Sequence, residues 1–195
     1  MKLEGKKVAI LTTDGFEQVE LTSPKKALEE AGAITEIVAP NSGSVKGWDE
    51  DNWGDTFEVD RTIVEANASD YNALLLPGGV MNPDSLRTNQ DALSFVRDFF
   101  RQQKPVAAIC HGGQTLINAE LVEGRKLTSY PAIRKDMENA GARWLDEEVV
   151  VDQGLVTSRS PEDLKAFNDK LVEEVHEGKH EEQAQSIQKK QALAS

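Results

Sequence analysis

The single cysteine of the chain, Cys110, stands where an apolar run ends and a glycine-rich turn begins. The run 106–109 is typical of a short buried strand, and the turn contains His111, Gly112 and Gly113. In open α/β sheets, ligands bind at the carboxyl ends of the strands, and a following helix N-terminus favours thiolate over thiol. A small buried hydrophobe is the commoner role of a lone cysteine. The position nevertheless indicates a nucleophilic thiol with a lowered pKa.

Two backbone amides and two side chains could complete a site around this sulfur. Gly79 follows another apolar segment, 73–76, so its N–H and that of His111 are candidates for an oxyanion pocket. The His111 imidazole is a candidate proton acceptor for Cys110, with a surface histidine as the alternative. Glu17 follows the first predicted strand and is expected near the same sheet edge, although an exposed glutamate is the commoner fate.

A second motif is weaker. Residues 176–180 read H-E-G-K-H and match the H-E-x-x-H pattern of zinc proteases. Gly178 interrupts this segment where the last predicted helix is already ending, and the chain's remaining histidine is His111. Neither a P-loop nor a dinucleotide-binding glycine motif is present. We therefore predict no metal and no cofactor.

The elements that must position these residues follow an alternation of apolar runs and helical patterns, which predicts a mostly parallel sheet covered by helices on both faces. Strands are expected at 7–12, 34–39, 73–76 and 106–109, with a hairpin formed by 149–151 and 155–157. Helices are expected up to residue 31, from the cap Asn89 through 102, at about 114–121, and after Ser160 with the buried stripe Leu164, Phe167, Leu171 and Val175. The acidic segment 48–60 is expected to be a solvated loop that leads into a strand near Phe57.

Composition narrows the class of protein. The chain has 195 residues, which is typical of one domain, here predicted at 1–178 with a polar, flexible tail at 179–195. The 22 basic and 34 acidic residues give a net charge of −12, which argues against nucleic acid or an anionic membrane as a partner. No apolar run approaches the ~20 residues of a membrane span. With one cysteine and no internal disulfide, a cytoplasmic protein is expected.

Seven short segments within residues 6–178 carry a resemblance to a known family. In chain order they are DGFEQVEL (14–21), LLPGG (75–79), PVAAICHG (105–112), LTSYP (127–131), NAG (139–141), EEVVVD (147–152) and TSRS (157–160). The chain resembles the PfpI/DJ superfamily of class I glutamine amidotransferase-like proteins. It is most similar to the bacterial intracellular protease-like stress proteins, also described as protein deglycases or glyoxalase III-like enzymes.

The resemblance implies a flavodoxin-like three-layer α/β sandwich with a nucleophile elbow. By matching motif, Cys110 is the nucleophile, His111 its partner, and Glu17 the acid whose carboxyl approaches the sulfur. A further acid, Asp84 by position, is expected to reach His111 from a neighbouring subunit, which implies a homodimer or hexamer. One departure is Gly113, where many relatives have proline.

The implied function is that of a cysteine-dependent hydrolase or lyase of the stress response. Its substrates would be α-oxoaldehydes such as methylglyoxal, glycated thiols or amines, or peptides, which the sequence does not rank. The alternatives are a redox sensor or holdase chaperone that uses an oxidisable Cys110 without turnover, and a structural relative with an inactive elbow.

Overall fold

The computed structural model describes residues 2–184, which form twelve strands and six α-helices. The strands are β1 (Lys7–Leu11), β2 (Phe16–Glu17), β3 (Ile34–Ala39), β4 (Ser44–Asp49), β5 (Asn52–Glu58), β6 (Arg61–Thr62), β7 (Ala73–Leu76), β8 (Val106–Ile109), β9 (Lys126–Leu127), β10 (Arg143–Trp144), β11 (Val149–Asp152) and β12 (Leu155–Ser158). The helices are α1 (Gln18–Glu30), α2 (Met81–Leu86), α3 (Gln90–Arg101), α4 (Gly113–Asn118), α5 (Arg134–Asn139) and α6 (Leu164–Glu177). Within residues 2–184, no helix combines the length and the apolar character needed to cross a bilayer.

The central sheet has seven strands in the order β11-β12-β8-β7-β1-β3-β6. All neighbouring pairs are parallel except β11 with β12. Its five inner strands, counted along the chain, lie in the order 2-1-3-4-5, which is the flavodoxin-like arrangement. The order reverses between β1 and β7, and ligands bind in the crevice at such a point. The predicted flavodoxin-like α/β fold is confirmed.

Two apolar layers cover the sheet because successive side chains of a strand point to opposite faces. On β1, Val8 and Ile10 pack into one layer and Ala9 and Leu11 into the other. The first layer contains the predicted stripe of α6 together with apolar residues of α1, and the second contains those of α3 and α4. The sheet is therefore buried on both faces, which leaves its strand ends as the place where polar groups can meet a ligand.

The acidic segment 48–60 differs from the predicted loop. Residues 44–58 form the antiparallel hairpin β4–β5, which β2 joins through its pairing with β4. Trp48 and Trp53 face each other across the hairpin in an edge contact with ring centroids 5.5 Å apart. Such cross-strand aromatic pairs stabilise a hairpin whose other side chains are mostly solvated.

The start of the predicted tail is also ordered. The His180 N–H donates to the Gln103 carbonyl at 2.8 Å, and the buried Gln183 side chain donates to the Lys104 carbonyl at 2.8 Å. Residues 180–184 therefore pack on the domain, beyond the domain boundary predicted at 178, while the flexibility of the tail stays a prediction. Residues 185–195 lie outside the described part of the chain.

Candidate active site

Cys110 lies on a sharp turn between β8 and α4. Its φ of 58° is in the left-handed region, which costs a non-glycine residue roughly 1–3 kcal/mol and is common at functional sites. A short 3₁₀ turn, Cys110–Gly112, leads into α4. A Cβ at Gly112 would lie 2.5 Å from the Leu76 carbonyl oxygen, so glycine lets this turn lie directly against the end of β7. This strand–turn–helix geometry matches the elbow that the resemblance implies.

The backbone amides of Gly79 and His111 approach the Cys110 sulfur and act to lower the pKa of its thiol. Gly79 has a φ of +72°, and a Cβ there would lie 2.5 Å from the Gly15 carbonyl oxygen. The structure thus brings the two predicted oxyanion donors together at the sulfur. A substrate oxygen bound next to the sulfur would lie close to the same two N–H groups.

The imidazole of His111 turns towards the cysteine. Its Nδ1 is 3.2 Å from the Cys110 Sγ, and its ring stacks on Tyr130 with centroids 4.8 Å apart and 27° between the planes. Burial lowers the pKa of His111, so the ring is a neutral base at pH 7. The structure therefore places base and thiol within proton-transfer distance.

The carboxyl group that reaches the sulfur belongs to Glu20, whereas the sequence assigns this contact to Glu17. Glu20 lies in the first turn of α1 and is fully buried. Its Oε2 accepts the Gly78 N–H at 2.9 Å, and the carboxyl is within hydrogen-bonding reach of the Cys110 thiol. Its other oxygen, Oε1, is buried and has no further partner in the described part of the chain.

The sequence contains a signal that would have identified Glu20. Along α1 this glutamate shares the buried face with Leu21, Pro24 and Leu28. A glutamate within a buried stripe needs a partner, because burying an unpaired carboxyl group is costly. Glu17 lies three residues earlier, at the cap position before α1.

Glu17 lines the same cavity as Cys110 but does not contact the sulfur. It is half-buried and lines a cavity of about 580 Å³ together with Cys110, His111, Glu20 and Trp48. Burial, and then the nearby Asp49 carboxylate, raise the pKa of Glu17. This side chain can therefore exchange protons with a molecule in the cavity without touching the sulfur.

Asp84 is exposed on α2 and is not among the residues that line the cavity. In residues 2–184 no acidic side chain forms a hydrogen bond or an ion pair with His111. The contact expected from Asp84 of a neighbouring subunit stays a prediction, since one chain is described.

The sequence predicts a lowered pKa for the Cys110 thiol, whereas the surroundings of the sulfur have the opposite net effect. Burial, followed by the Glu20 carboxylate, raises the pKa of the Cys110 thiol, while the two amide donors lower it by less. Burial also raises the pKa of Glu20 to about 8. Because the carboxyl is within hydrogen-bonding reach of the thiol, the two groups share at most one negative charge. At pH 7 Glu20 is protonated, its repulsion of a thiolate disappears, and its O–H can donate to the sulfur.

Three side chains that could act as metal ligands lie together elsewhere in the fold. Glu174, Glu177 and His180 place their ligand atoms within 4.8 Å of one another at the end of α6. The Cys110 site offers one thiol, one imidazole and a protonated carboxyl, and its geometry suits acid–base and nucleophilic chemistry.

The family model described as the DJ-1/PfpI family matches residues 6–174, nearly the whole described chain. The chain belongs to this family. Two relatives from Bacillus subtilis (strain 168) are similar over 84% of this chain and 94% of their own lengths. "Putative cysteine protease YraA" is 47% identical over 164 residues, and "General stress protein 18" is 48% identical over 166 residues.

A solved structure supports the DJ-1/PfpI fold. It is a two-domain protein from Anabaena variabilis that contains DJ-1/ThiJ/PfpI-like and ferritin-like domains. The TM-score is 0.82 at 40% sequence identity, over 86% of this chain and 47% of that chain. The present chain thus spans about half of that longer protein.

Proposed function

We propose that this DJ-1/PfpI protein is a cysteine-dependent enzyme that adds Cys110 to small α-oxoaldehydes, such as methylglyoxal, and to their adducts on thiols and amines. One observation carries the proposal. The sulfur on the elbow faces a neutral imidazole at 3.2 Å and a carboxyl whose pKa of about 8 keeps it protonated. Addition to a carbonyl needs one group to accept a proton and another to donate one, and these two provide both.

The first step forms a hemithioacetal. The thiol proton moves to Nδ1 of His111 as the sulfur bonds to the aldehyde carbon. The carbonyl electron pair moves to oxygen, which takes a proton from Glu20 and lies near the N–H of Gly79. The cavity of about 580 Å³ has room for such a small substrate.

The later steps convert the hemithioacetal to a hydroxy acid. Glu17 moves a proton from the first substrate carbon to the second, and the hydroxyl proton of the first carbon passes to the oxygen of the second, which oxidises one carbon and reduces its neighbour to give a thioester. The proton held by His111 returns to Glu20. Water then cleaves the thioester, which releases the hydroxy acid and restores the Cys110 thiol. The sum is oxoaldehyde plus water to hydroxy acid, so no outside oxidant or reductant is needed.

Peptide cleavage is a second candidate, which the name of the relative YraA favours. There the sulfur would attack a peptide carbonyl, and the Gly79 and His111 amides would stabilise the oxyanion. The alternative from a different class is a redox sensor or holdase chaperone in which peroxide oxidises Cys110 to a sulfenic acid without turnover.

We also propose that a second copy of the chain completes the site in a homodimer or a hexamer. His111 has no acidic partner within the described residues, while Asp84 is exposed on α2 beside the cavity-lining Val80 and Met81. Val80 and Met81 are themselves 64% and 44% exposed, so the rim that a partner would cover is apolar. Light scattering that shows only monomer would remove Asp84 from the site.

The deciding experiment compares the wild type with Cys110→Ala on three substrates. Lactate release from methylglyoxal, removal of sugar adducts from thiols and amines, and peptide cleavage are measured in parallel. His176→Gln is the matched control, since this exposed residue lies on α6 and does not line the cavity. We expect Cys110→Ala to abolish lactate release and the control to retain it. Equal background rates in all three proteins would end the catalytic proposal.

Other outcomes separate the candidates. Cysteine-dependent peptide cleavage without lactate release would identify the protein as a peptidase. Selective oxidation of Cys110 by dilute peroxide, seen by mass spectrometry in a protein inactive on every substrate, would favour the sensor.

A further inference from the structure

The end of α6 brings together three potential metal ligands. Glu174 and Glu177 are three residues apart and therefore lie on the same face of the helix. His180 follows just after the helix ends. One ligand atom from each side chain lies within 4.8 Å of the other two, which is close enough for a single ion to contact all three.

Two of these ligand atoms are buried in an unusual pairing. The Glu174 side chain is 7% exposed and the His180 side chain 17% exposed, and Glu174 Oε2 lies 3.0 Å from His180 Nε2. Neither atom makes a well-aligned hydrogen bond in the described part of the chain. A carboxylate oxygen and an imidazole nitrogen so placed need a hydrogen or a cation between them: the N–H of the imidazole, or a metal ion that both atoms contact.

The charge on the last turns of α6 is mostly negative, although Lys179 lies between Glu177 and His180 in the chain. The C-terminal end of a helix carries partial negative charge and disfavours carboxylates, yet Glu173, Glu174 and Glu177 all lie in the last turns of α6. Lys170 is the basic side chain on the same helix segment, and its ammonium is paired with Glu173 at 2.7 Å.

His180 packs on the loops at one end of the sheet. Its backbone N–H donates to the Gln103 carbonyl at 2.8 Å. A Cβ at Gly154 would lie 2.8 Å from His180 Cδ2, so glycine in the β11–β12 turn allows the ring to pack there. Gly154 directly precedes β12, and the first residue of β12 pairs with the first residue of β8. Cys110 follows the last residue of β8, at the other end of the same strand. The cluster is thus at the opposite end of the sheet from the cysteine.

We propose that Glu174, Glu177 and His180 form a binding site for a divalent transition metal, best matched by zinc, which ties the end of α6 to the sheet. One imidazole nitrogen and two carboxylate oxygens are zinc ligands and leave a fourth position for water. The H-E-x-x-H segment contributes Glu177 and His180. Its first histidine, His176, instead contacts the Lys2 carbonyl through Nδ1 at 3.2 Å.

The test measures zinc binding to the full, chelator-treated chain by competition with a chromophoric chelator. The variants are Glu174→Gln, Glu177→Gln and His180→Gln, and His176→Gln is the matched control on the same helix. Because loss of even an outer-shell partner weakens a metal site 10–100-fold, we expect each ligand variant to bind zinc at least about tenfold more weakly. The control is expected to bind as the wild type does.

Two further comparisons separate loss of the metal site from unfolding and from zinc binding at the thiol. Glu177 is exposed, so its variant should fold normally and tests the site even if a variant at buried Glu174 unfolds. Cys110→Ser tests whether zinc binds at the thiol, and cobalt substitution of the wild type should show no thiolate charge-transfer band. Absent binding by the wild type, or binding lost in Cys110→Ser but retained in the three ligand variants, overturns the inference.

Discussion

The carboxyl of Glu20, on α1, lies within hydrogen-bonding reach of the Cys110 thiol on the turn after β8. The Gly78 N–H fixes one carboxyl oxygen at 2.9 Å, and the amides of Gly79 and His111 approach the sulfur. A Cβ at Gly78 would come within 2.5 Å of Glu20 Oε2 and 2.7 Å of Cys110 Cβ. Glycine at this position therefore allows acid and thiol to meet, and the protonation of one controls that of the other.

Replacement of this acid by an amide should make the thiol more reactive at alkaline pH. Above pH about 8 the wild-type Glu20 is ionised and repels a thiolate, whereas the glutamine of Glu20→Gln stays neutral and can donate to the sulfur. We expect the midpoint of iodoacetamide alkylation at Cys110 to move to lower pH by about one unit or more. Glu17→Gln, which alters a cavity carboxyl that does not touch the sulfur, is the control. Superimposable profiles for wild type and Glu20→Gln would contradict the proposed coupling.

The same carboxyl should make folding stability depend on pH. The pKa of Glu20 is about 8 in the native state against 4.5 for an ordinary glutamate, so the native state holds its proton more tightly. This stabilisation is complete below pH 4.5 and is lost as the pH rises through about 8. At 1.36 kcal/mol per pH unit, the free energy of unfolding should fall by on the order of 5 kcal/mol across this window.

Urea unfolding of wild type and Glu20→Gln at a series of pH values measures this effect. The variant lacks the titrating group, so the difference between the two unfolding free energies should change steadily between the two ends of the window. A constant difference would show that Glu20 titrates normally in the folded protein.

Burial explains which parts of this structure the sequence reveals. The strands at 34–39, 73–76 and 106–109 have the predicted bounds. Each is a short apolar run between turns, which is the pattern of a strand buried on both faces of a sheet. The hairpin β4–β5 is mostly exposed, and its polar sequence lacks such a pattern. Residues 180–184 pack through hydrogen bonds of His180 and Gln183, which no apolar stripe signals.

The site shows the same division. Cys110, His111 and Gly79 were identifiable because each follows a buried strand at the same edge of the sheet. The choice between Glu17 and Glu20 depends on where α1 begins. The helix starts at Gln18, so Glu17 becomes the cap and Glu20 turns inwards. If the sequence were moved by one position along this helix, each side chain would turn by about 100° around the helix axis. A different side chain would then face the sulfur.

Tyr130 should contribute to activity by holding the His111 ring. The two rings stack with centroids 4.8 Å apart, and the Tyr130 N–H donates to the Cys110 carbonyl at 3.2 Å. Tyr130→Ala removes the stack but keeps this backbone bond, so we expect turnover to fall about two- to tenfold, which corresponds to the roughly 0.5–1.5 kcal/mol of an aromatic pair. Tyr130→Phe retains the ring and should keep the wild-type rate. Equal losses in both variants would assign the effect to the hydroxyl group instead.

Asp152→Ala should be among the most destabilising substitutions of a polar residue. The Arg125 side chain is 5% exposed, and its Nε lies 3.1 Å from Asp152 Oδ2. Removal of the aspartate leaves a buried guanidinium without its counter-charge, which costs about 3–5 kcal/mol. Asp169→Ala is the matched control, because its ion pair with Lys165 joins side chains that are 68% and 91% exposed and should contribute at most about 1 kcal/mol. Urea midpoints that fall equally in the two variants would mean that solvent reaches Arg125 and compensates for the lost aspartate.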